Sequence, residues 1–175
     1  MSTIVFIGFR ASGKSLLGSW LAEELRMPFV DTDDVVLAHL GFDSVDNAWE
    51  QVGEEGWREA ELLVIPPLFE QQSVIALGGG APMIQAIQKA MGSVDTVFNL
   101  TANEKMTVLR MEASGDRPAL SNPDLDVRLE RLPTYAMLGT CGIETSGDID
   151  DIKAKILDHL NHGHTNHTDG NHPIF

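Results

Sequence analysis

Short runs of consecutive apolar residues alternate along the chain with longer stretches in which apolar positions recur every three or four residues. Ile4 to Ile7 is one such run and ends in glycine; from Gly13 onward Leu16, Leu17, Trp20, Leu21 and Leu25 share a single helical face. That pattern predicts strand, tight loop, helix. Phe29 to Thr32, Val74 to Leu77 and Thr96 to Leu100 are further short predicted strands, and a weakly written fifth is expected near Cys141 to Thr145. Strands that are apolar throughout are buried on both faces. Alternating with helices, they predict an α/β fold with a central parallel sheet of about five strands and helices on both sides.

Between the second and third strands, residues 34–72 carry helical spacing at Val45, Ala48, Trp49 and Val52 and again after Trp57 and Ala60, until Pro66 and Pro67 should kink or end the helix. Further helices are expected at Asn103 to Met111, 125–137 and 149–160. The Gly/Pro/Ser-bearing stretch Ala113 to Pro123 suits a mobile loop. The organisation that follows is one domain over residues 1–161 with a lid at about 112–124, then a His-rich tail over 162–175. The tail has no apolar periodicity and is expected to be disordered.

Bulk properties narrow the function. A chain of 175 residues can bury a core and still form a closed pocket. No apolar run approaches the roughly 20 residues that span a bilayer, so no membrane role is expected. The N-terminus has no basic region followed by a cleavable apolar stretch, and the single cysteine, Cys141, agrees with a reducing compartment; the expected setting is the cytoplasm. A net charge of −14 argues against a nucleic-acid partner, because phosphate-backbone binding needs clustered Lys and Arg. With only twelve Lys and Arg, any anionic ligand must draw scarce cations to one place. A monomer acting on a small molecule is the expectation.

Gly8-Phe9-Arg10-Ala11-Ser12-Gly13-Lys14-Ser15 fits G-x-x-x-x-G-K-[ST] at each defined position, with a predicted strand before it and a helix after it. In this motif the glycines let the backbone curl so that the N–H groups of Ala11, Ser12, Gly13, Lys14, Ser15 and Leu16 can face phosphate oxygens, and the helix adds its positive end. Lys14 would bridge the β- and γ-phosphates and the Ser15 hydroxyl would ligate Mg²⁺. The loop therefore implies a nucleoside triphosphate without saying what accepts the phosphate. Arg10 has no assigned work in it.

The second strand ends in Asp31-Thr32-Asp33-Asp34, which a parallel sheet sets at its carboxyl edge beside the loop. Clustered carboxylates repel unless a cation or a hydroxyl-bearing ligand sits among them. Metal support and hydroxyl orientation are the offsets on offer; Asp34 is the residue best explained by a helix N-terminus alone.

Further along stand Gly53-Glu54-Glu55-Gly56-Trp57-Arg58-Glu59-Ala60-Glu61, the triple glycine Gly78-Gly79-Gly80, Arg117-Pro118 in the loop, and Arg131-Leu132-Pro133-Thr134-Tyr135. With Asp31-Thr32-Asp33 and the phosphate loop, in this order, they make the sequence resemble shikimate kinase from about Thr3 to Tyr135. The resemblance implies a small kinase that uses ATP and Mg²⁺ to phosphorylate the 3-hydroxyl of shikimate. It implies that Asp33 bonds ring hydroxyls, that Arg58, Arg131 and the Gly78–Gly80 backbone hold the carboxylate, and that Trp49 and Trp57 wall the pocket. Asp31 would serve the Mg²⁺ sphere through water, Arg110 would stack on adenine, and Arg117 would bring charge to the phosphates as the lid closes. Guanidinium forks match a planar carboxylate where Lys offers a point charge.

Each assignment has a plainer alternative. Arg58 can pair with Glu61 one turn on, Trp49 and Trp57 can be core, the glycines can form a simple turn, and Arg131 and Arg117 can be exposed charges. The chain departs from the family where Ser146-Gly147-Asp148-Ile149 lacks a proline on the adenine side. A gluconate or nucleotide kinase, or a non-catalytic nucleotide-binding regulatory domain, would share the loop.

Overall fold

A computed structural model of the chain describes residues 2–114 and 122–163. Five strands form one sheet: β1 (Ile4–Gly8), β2 (Phe29–Asp31), β3 (Val74–Ala76), β4 (Thr96–Thr101) and β5 (Cys141–Glu144). They lie in the order β2-β3-β1-β4-β5, and all four pairings are parallel, as the apolar runs predict. Among the described residues seven α-helices connect and cover them: α1 (Lys14–Leu25), α2 (Thr32–Leu40), α3 (Val45–Val64), α4 (Gln85–Met91), α5 (Glu104–Ser114), α6 (Asn122–Leu138) and α7 (Ile149–Gly163).

Alternation along β1 divides the core. Ile4 and Phe6 face α1 and α7 with Leu17, Leu21, Phe98 and Ile152, where Phe6 and Phe98 stack with ring centroids 5.1 Å apart. Val5 and Ile7 face the other way with Ile75, Leu77, Ile87 and Tyr135. A third, smaller cluster, Val36, Ala48, Trp57 and Ala60, joins α2 to α3 away from the sheet. It makes those two helices a separate wall over the carboxyl edge.

The strand order reverses around β1, which has β3 on one side and β4 on the other. In a parallel sheet that switch opens a crevice at the carboxyl ends of the strands, and the β1–α1 loop sits in it. Gly13 caps α1 with φ of 100°, a conformation that a side chain resists, and so frees the loop to enter the helix.

Some elements depart from the predicted pattern. Pro66 and Pro67 do stop α3, which ends at Val64 and passes into a 3-10 turn at Pro66–Glu70. Inside α3, Gly53 takes φ 68° and ψ −176° and kinks the helix, so the two helical stretches are halves of one bent element. The helix α4, which the pattern does not distinguish, is seven residues long and shows its period only in Ile87 and Met91. Asp31, not Asp34, caps α2, its carboxylate accepting from the Asp33 N–H at 3.1 Å. Residues 115–121 and 164–175, which include most of the predicted lid and nearly all of the tail, lie outside the described residues. Among those described, no helix is long and apolar enough to cross a membrane.

Candidate active site

Lys14 follows the capping glycine at the start of α1 and turns back into the loop, where Nζ donates to the carbonyls of Gly8 (2.9 Å) and Phe9 (3.1 Å). Burial holds its pKa down at about 8, against an ordinary 10.5; Asp33 and Asp31 push it up and Arg131 pushes it down further. A lysine so placed is most at ease when an anion joins it. Next to it the Ser15 hydroxyl donates to Asp31 Oδ2 at 2.6 Å. A hydroxyl and a carboxylate oxygen held this close are hard donors suited to Mg²⁺, which takes one or two protein oxygens and completes its shell with phosphate and water. Among the described residues no group of three or more His, Cys, Asp or Glu gathers as an all-protein metal cage.

Beyond Lys14 lies a cavity of about 480 Å³ whose lining includes Lys14, Asp33, Trp49, Trp57, Arg58 and Arg131, with Gly78–Gly80. Residues as far apart in sequence as 14 and 131 thus meet at the carboxyl edge of the sheet. Arg58 Nη1 bonds Glu61 Oε2 at 2.6 Å and Nη2 reaches Glu54 Oε1 at 3.4 Å, so the guanidinium is fixed from two turns of α3. Glu61 is almost wholly buried, which raises its carboxyl pKa while Arg58 opposes the rise. Arg58 also lies 5.8 Å from the centroid of the Trp49 ring. Trp49 and Trp57, 6.4 Å apart, are both core and wall: each packs in the α2–α3 cluster and each lines the cavity.

The glycine run is more than a turn. A Cβ at Gly80 would fall on the Arg58 guanidinium, and one at Gly78 would fall on the Asp33 carboxylate. One at Gly79 would stand 3.5 Å from Arg131 Nη1. Tyr135 donates to the Gly79 carbonyl at 2.6 Å, and burial raises its pKa, so it stays a neutral donor. Thr32 Oγ1 accepts from the Gly78 N–H at 2.8 Å. Two of the three main-chain units, Gly78 and Gly79, are therefore held in place by buried hydroxyls from α2 and α6.

On the other side of the loop is a second cavity, about 640 Å³, mostly apolar, bordered by Ala11, Ser12, Gly13, Leu16, Arg110 and Ile149 among others. Leu16 and Ile149 leave apolar surface exposed to it. Arg110 hydrogen-bonds the Ala11 carbonyl (3.2 Å) and the Thr145 hydroxyl (3.2 Å) and carbonyl. Buried Thr145 lies 2.9 Å from the Ser12 carbonyl and ties the loop to the end of β5.

Of the catalytic, binding and metal-ligating residues expected from sequence, Arg117 lies outside the described residues; the rest line one or the other cavity, Ser15 and Asp31 the one that Lys14 also lines. Sequence reasoning passed over Thr32, Glu54, Thr145 and Ile149. Thr32 sits inside the quoted Asp-Thr-Asp pattern, and Ile149 stands at the end of the segment where a proline is missing. For Thr145 no local signal exists.

A phosphate-binding loop between two such cavities on a five-stranded parallel sheet defines a small P-loop kinase. The family model for shikimate kinase matches residues 10–161. The shikimate kinase of Symbiobacterium thermophilum is 36% identical over 167 residues, 90% of this chain and 95% of its own. That of Legionella pneumophila (strain Corby) is 33% identical over 148 residues, covering 81% and 84%. The solved shikimate kinase of Acinetobacter baumannii in complex with shikimate superposes with a TM-score of 0.83 at 27% identity, over 94% of this chain and 95% of that one. The chain belongs to the shikimate kinase family. It is an enzyme, an ATP-using phosphotransferase with an alcohol group as acceptor.

Proposed function

We propose that the chain transfers the γ-phosphoryl group of ATP to the 3-hydroxyl of shikimate, with Mg²⁺, and that the two cavities are the nucleotide and acceptor sites. The observation that carries this is the meeting of Arg58, Arg131 and Lys14 in one cavity over the Gly78–Gly80 backbone, in a chain of net charge −14. Such a concentration of cations answers a carboxylate on one side and a phosphate on the other. Arg58 and Arg131 hold the acceptor carboxylate, Trp49 and Trp57 flank the ring, and Asp33 receives a ring hydroxyl.

Transfer of this kind asks mainly for in-line placement and neutralisation of the phosphoryl oxygens. Lys14 supplies charge from the loop, and Arg117 supplies more when the 112–124 segment closes and shuts out water. Asp33 orients the attacking hydroxyl. The backbone N–H groups from Ala11 to Leu16 cradle the phosphates, and Arg110 with the apolar surfaces of Leu16 and Ile149 receives the base. Ser15 and, through water, Asp31 would hold Mg²⁺, which when bound would supply positive charge at the phosphates. The domain over residues 1–161 acts as a monomer in the cytoplasm; the single cysteine agrees with that setting.

A coupled ADP-release assay tests the reading: turnover should depend on shikimate and not on gluconate or a nucleoside monophosphate, and Arg58→Ala should raise the acceptor KM far more than it lowers kcat. Turnover with either alternative acceptor in place of shikimate overturns it.

A further inference from the structure

Phosphate cradling uses the main chain of the β1–α1 loop and leaves the side chain of Arg10 without a part. The structure gives that side chain a distinctive position. Among the described residues, Arg10 alone belongs to the lining of both cavities. Its Nε is buried, and its guanidinium carbon lies 5.9 Å from the centroid of the Phe9 ring, which itself lines the acceptor cavity. It is thus part of the partition between the two spaces. A group that crosses from one space to the other crosses the partition to which Arg10 belongs.

We propose that Arg10 is a further catalytic residue, one that contacts the phosphoryl group during its crossing; the inference rests on the assignment of the two cavities made above. In the transfer, the bond from the γ-phosphorus to the oxygen shared with ADP breaks as the bond from the acceptor hydroxyl oxygen forms. The hydroxyl proton leaves to Asp33 or to solvent, and ADP departs with the bridging oxygen. Arg10 takes no part in the proton's movement and gives only N–H bonds to the equatorial oxygens. Those oxygens carry negative charge throughout. The other cations of the acceptor side are committed elsewhere: Arg58 is tied to Glu61 and Glu54, and Arg131 faces Gly79 and Tyr135. Lys14 enters the same cavity from the start of α1, with Nζ bonded to the Gly8 and Phe9 carbonyls of the loop. An arginine at the partition adds charge between the two cavities.

The test uses Arg10→Met, close in length and uncharged, with Arg10→Lys as the charge-conserving control. For Arg10→Met, kcat should fall about a hundredfold, the order seen on removing one donor to a developing charge. Dissociation constants for Mg-ADP and for shikimate, measured separately, should stay at wild-type values. Affinity for ADP with aluminium fluoride and shikimate, which mimics the crossing group, should fall by the same factor as kcat. Arg10→Lys should recover part of the loss, and a wild-type thermal shift with ADP shows that the loop is intact. An unchanged kcat overturns the proposal. So does a loss matched by weaker ADP binding or confined to the acceptor KM, because Arg10 would then be an anchor for one ligand. Wild-type ADP release that ignores shikimate would instead sink the acceptor assignment, a result distinct from any of these.

Discussion

The guanidinium of Arg58 occupies the space that a side chain at Gly80 would need. Gly80 has φ −89° and ψ −24°, a conformation open to any residue, so its lack of a side chain serves close approach and not backbone freedom. Gly80→Ala should therefore fold, with a cost of about 1–3 kcal/mol for overpacking. It should displace Arg58 from its bond to Glu61 and raise the acceptor KM roughly tenfold or more, since small misplacements at a site cost heavily. ADP affinity should not change. Steady-state kinetics and an ADP titration check this; an unaltered acceptor KM would mean that Arg58 does not hold the acceptor.

How far the sequence foretells this arrangement differs between elements for physical reasons. The core strands are legible because burial on both faces demands unbroken apolar runs, as in Ile4–Ile7 and Val74–Leu77. The edge strand β5 is faint because only Ile143 of its four residues is fully buried. The phosphate loop is legible because its mechanism fixes residue types at fixed spacing. Arg58 meeting Gly80, or Tyr135 reaching the Gly79 carbonyl, depends on how α3 and α6 cross the sheet edge. No local pattern encodes a meeting between elements that far apart, and only the resemblance to a known family anticipates the composition of the pocket.

Lys14 makes a prediction about pH. Its folded pKa of about 8 lies below the ordinary 10.5, so in that window the unfolded chain binds a proton that the ligand-free folded protein does not. Stability from this group therefore rises as pH increases from about 8 to 10.5, and below 8 the charged, half-buried lysine is a burden on the fold. Tyr135, whose pKa is raised by burial, pulls the other way above its ordinary 10, so the lysine is isolated by comparison with Lys14→Met. Denaturant unfolding should show Lys14→Met at its greatest relative advantage near neutrality, shrinking through the window, with activity lost throughout. ATP phosphates restore the charged form, so nucleotide binding near pH 9 should take up a proton. Calorimetry in buffers of different ionisation heat reads that uptake; proton release on binding would contradict the placement of Lys14 against phosphate.

Thr145 ties the nucleotide side together through a single hydroxyl. Its Oγ1 lies 2.9 Å from the Ser12 carbonyl and 3.1 Å from the Thr101 carbonyl, and it accepts from Arg110 Nη1 at 3.2 Å. Valine has nearly the same shape but cannot donate or accept, so Thr145→Val leaves the buried Ser12 carbonyl without that donor and loosens Arg110. Loss of such a bond costs about 1–3 kcal/mol, which for a chain of this size lowers Tm by a few degrees per kcal/mol. The functional effect should fall on one ligand. The phosphate loop shifts relative to β5 and the base-facing cavity, so the ATP KM should rise by several-fold, while the acceptor cavity, whose lining does not include Thr145, keeps its KM. A rise in the acceptor KM with ATP unaffected would show that the loop is positioned from the acceptor side, and that β5 only borders the nucleotide.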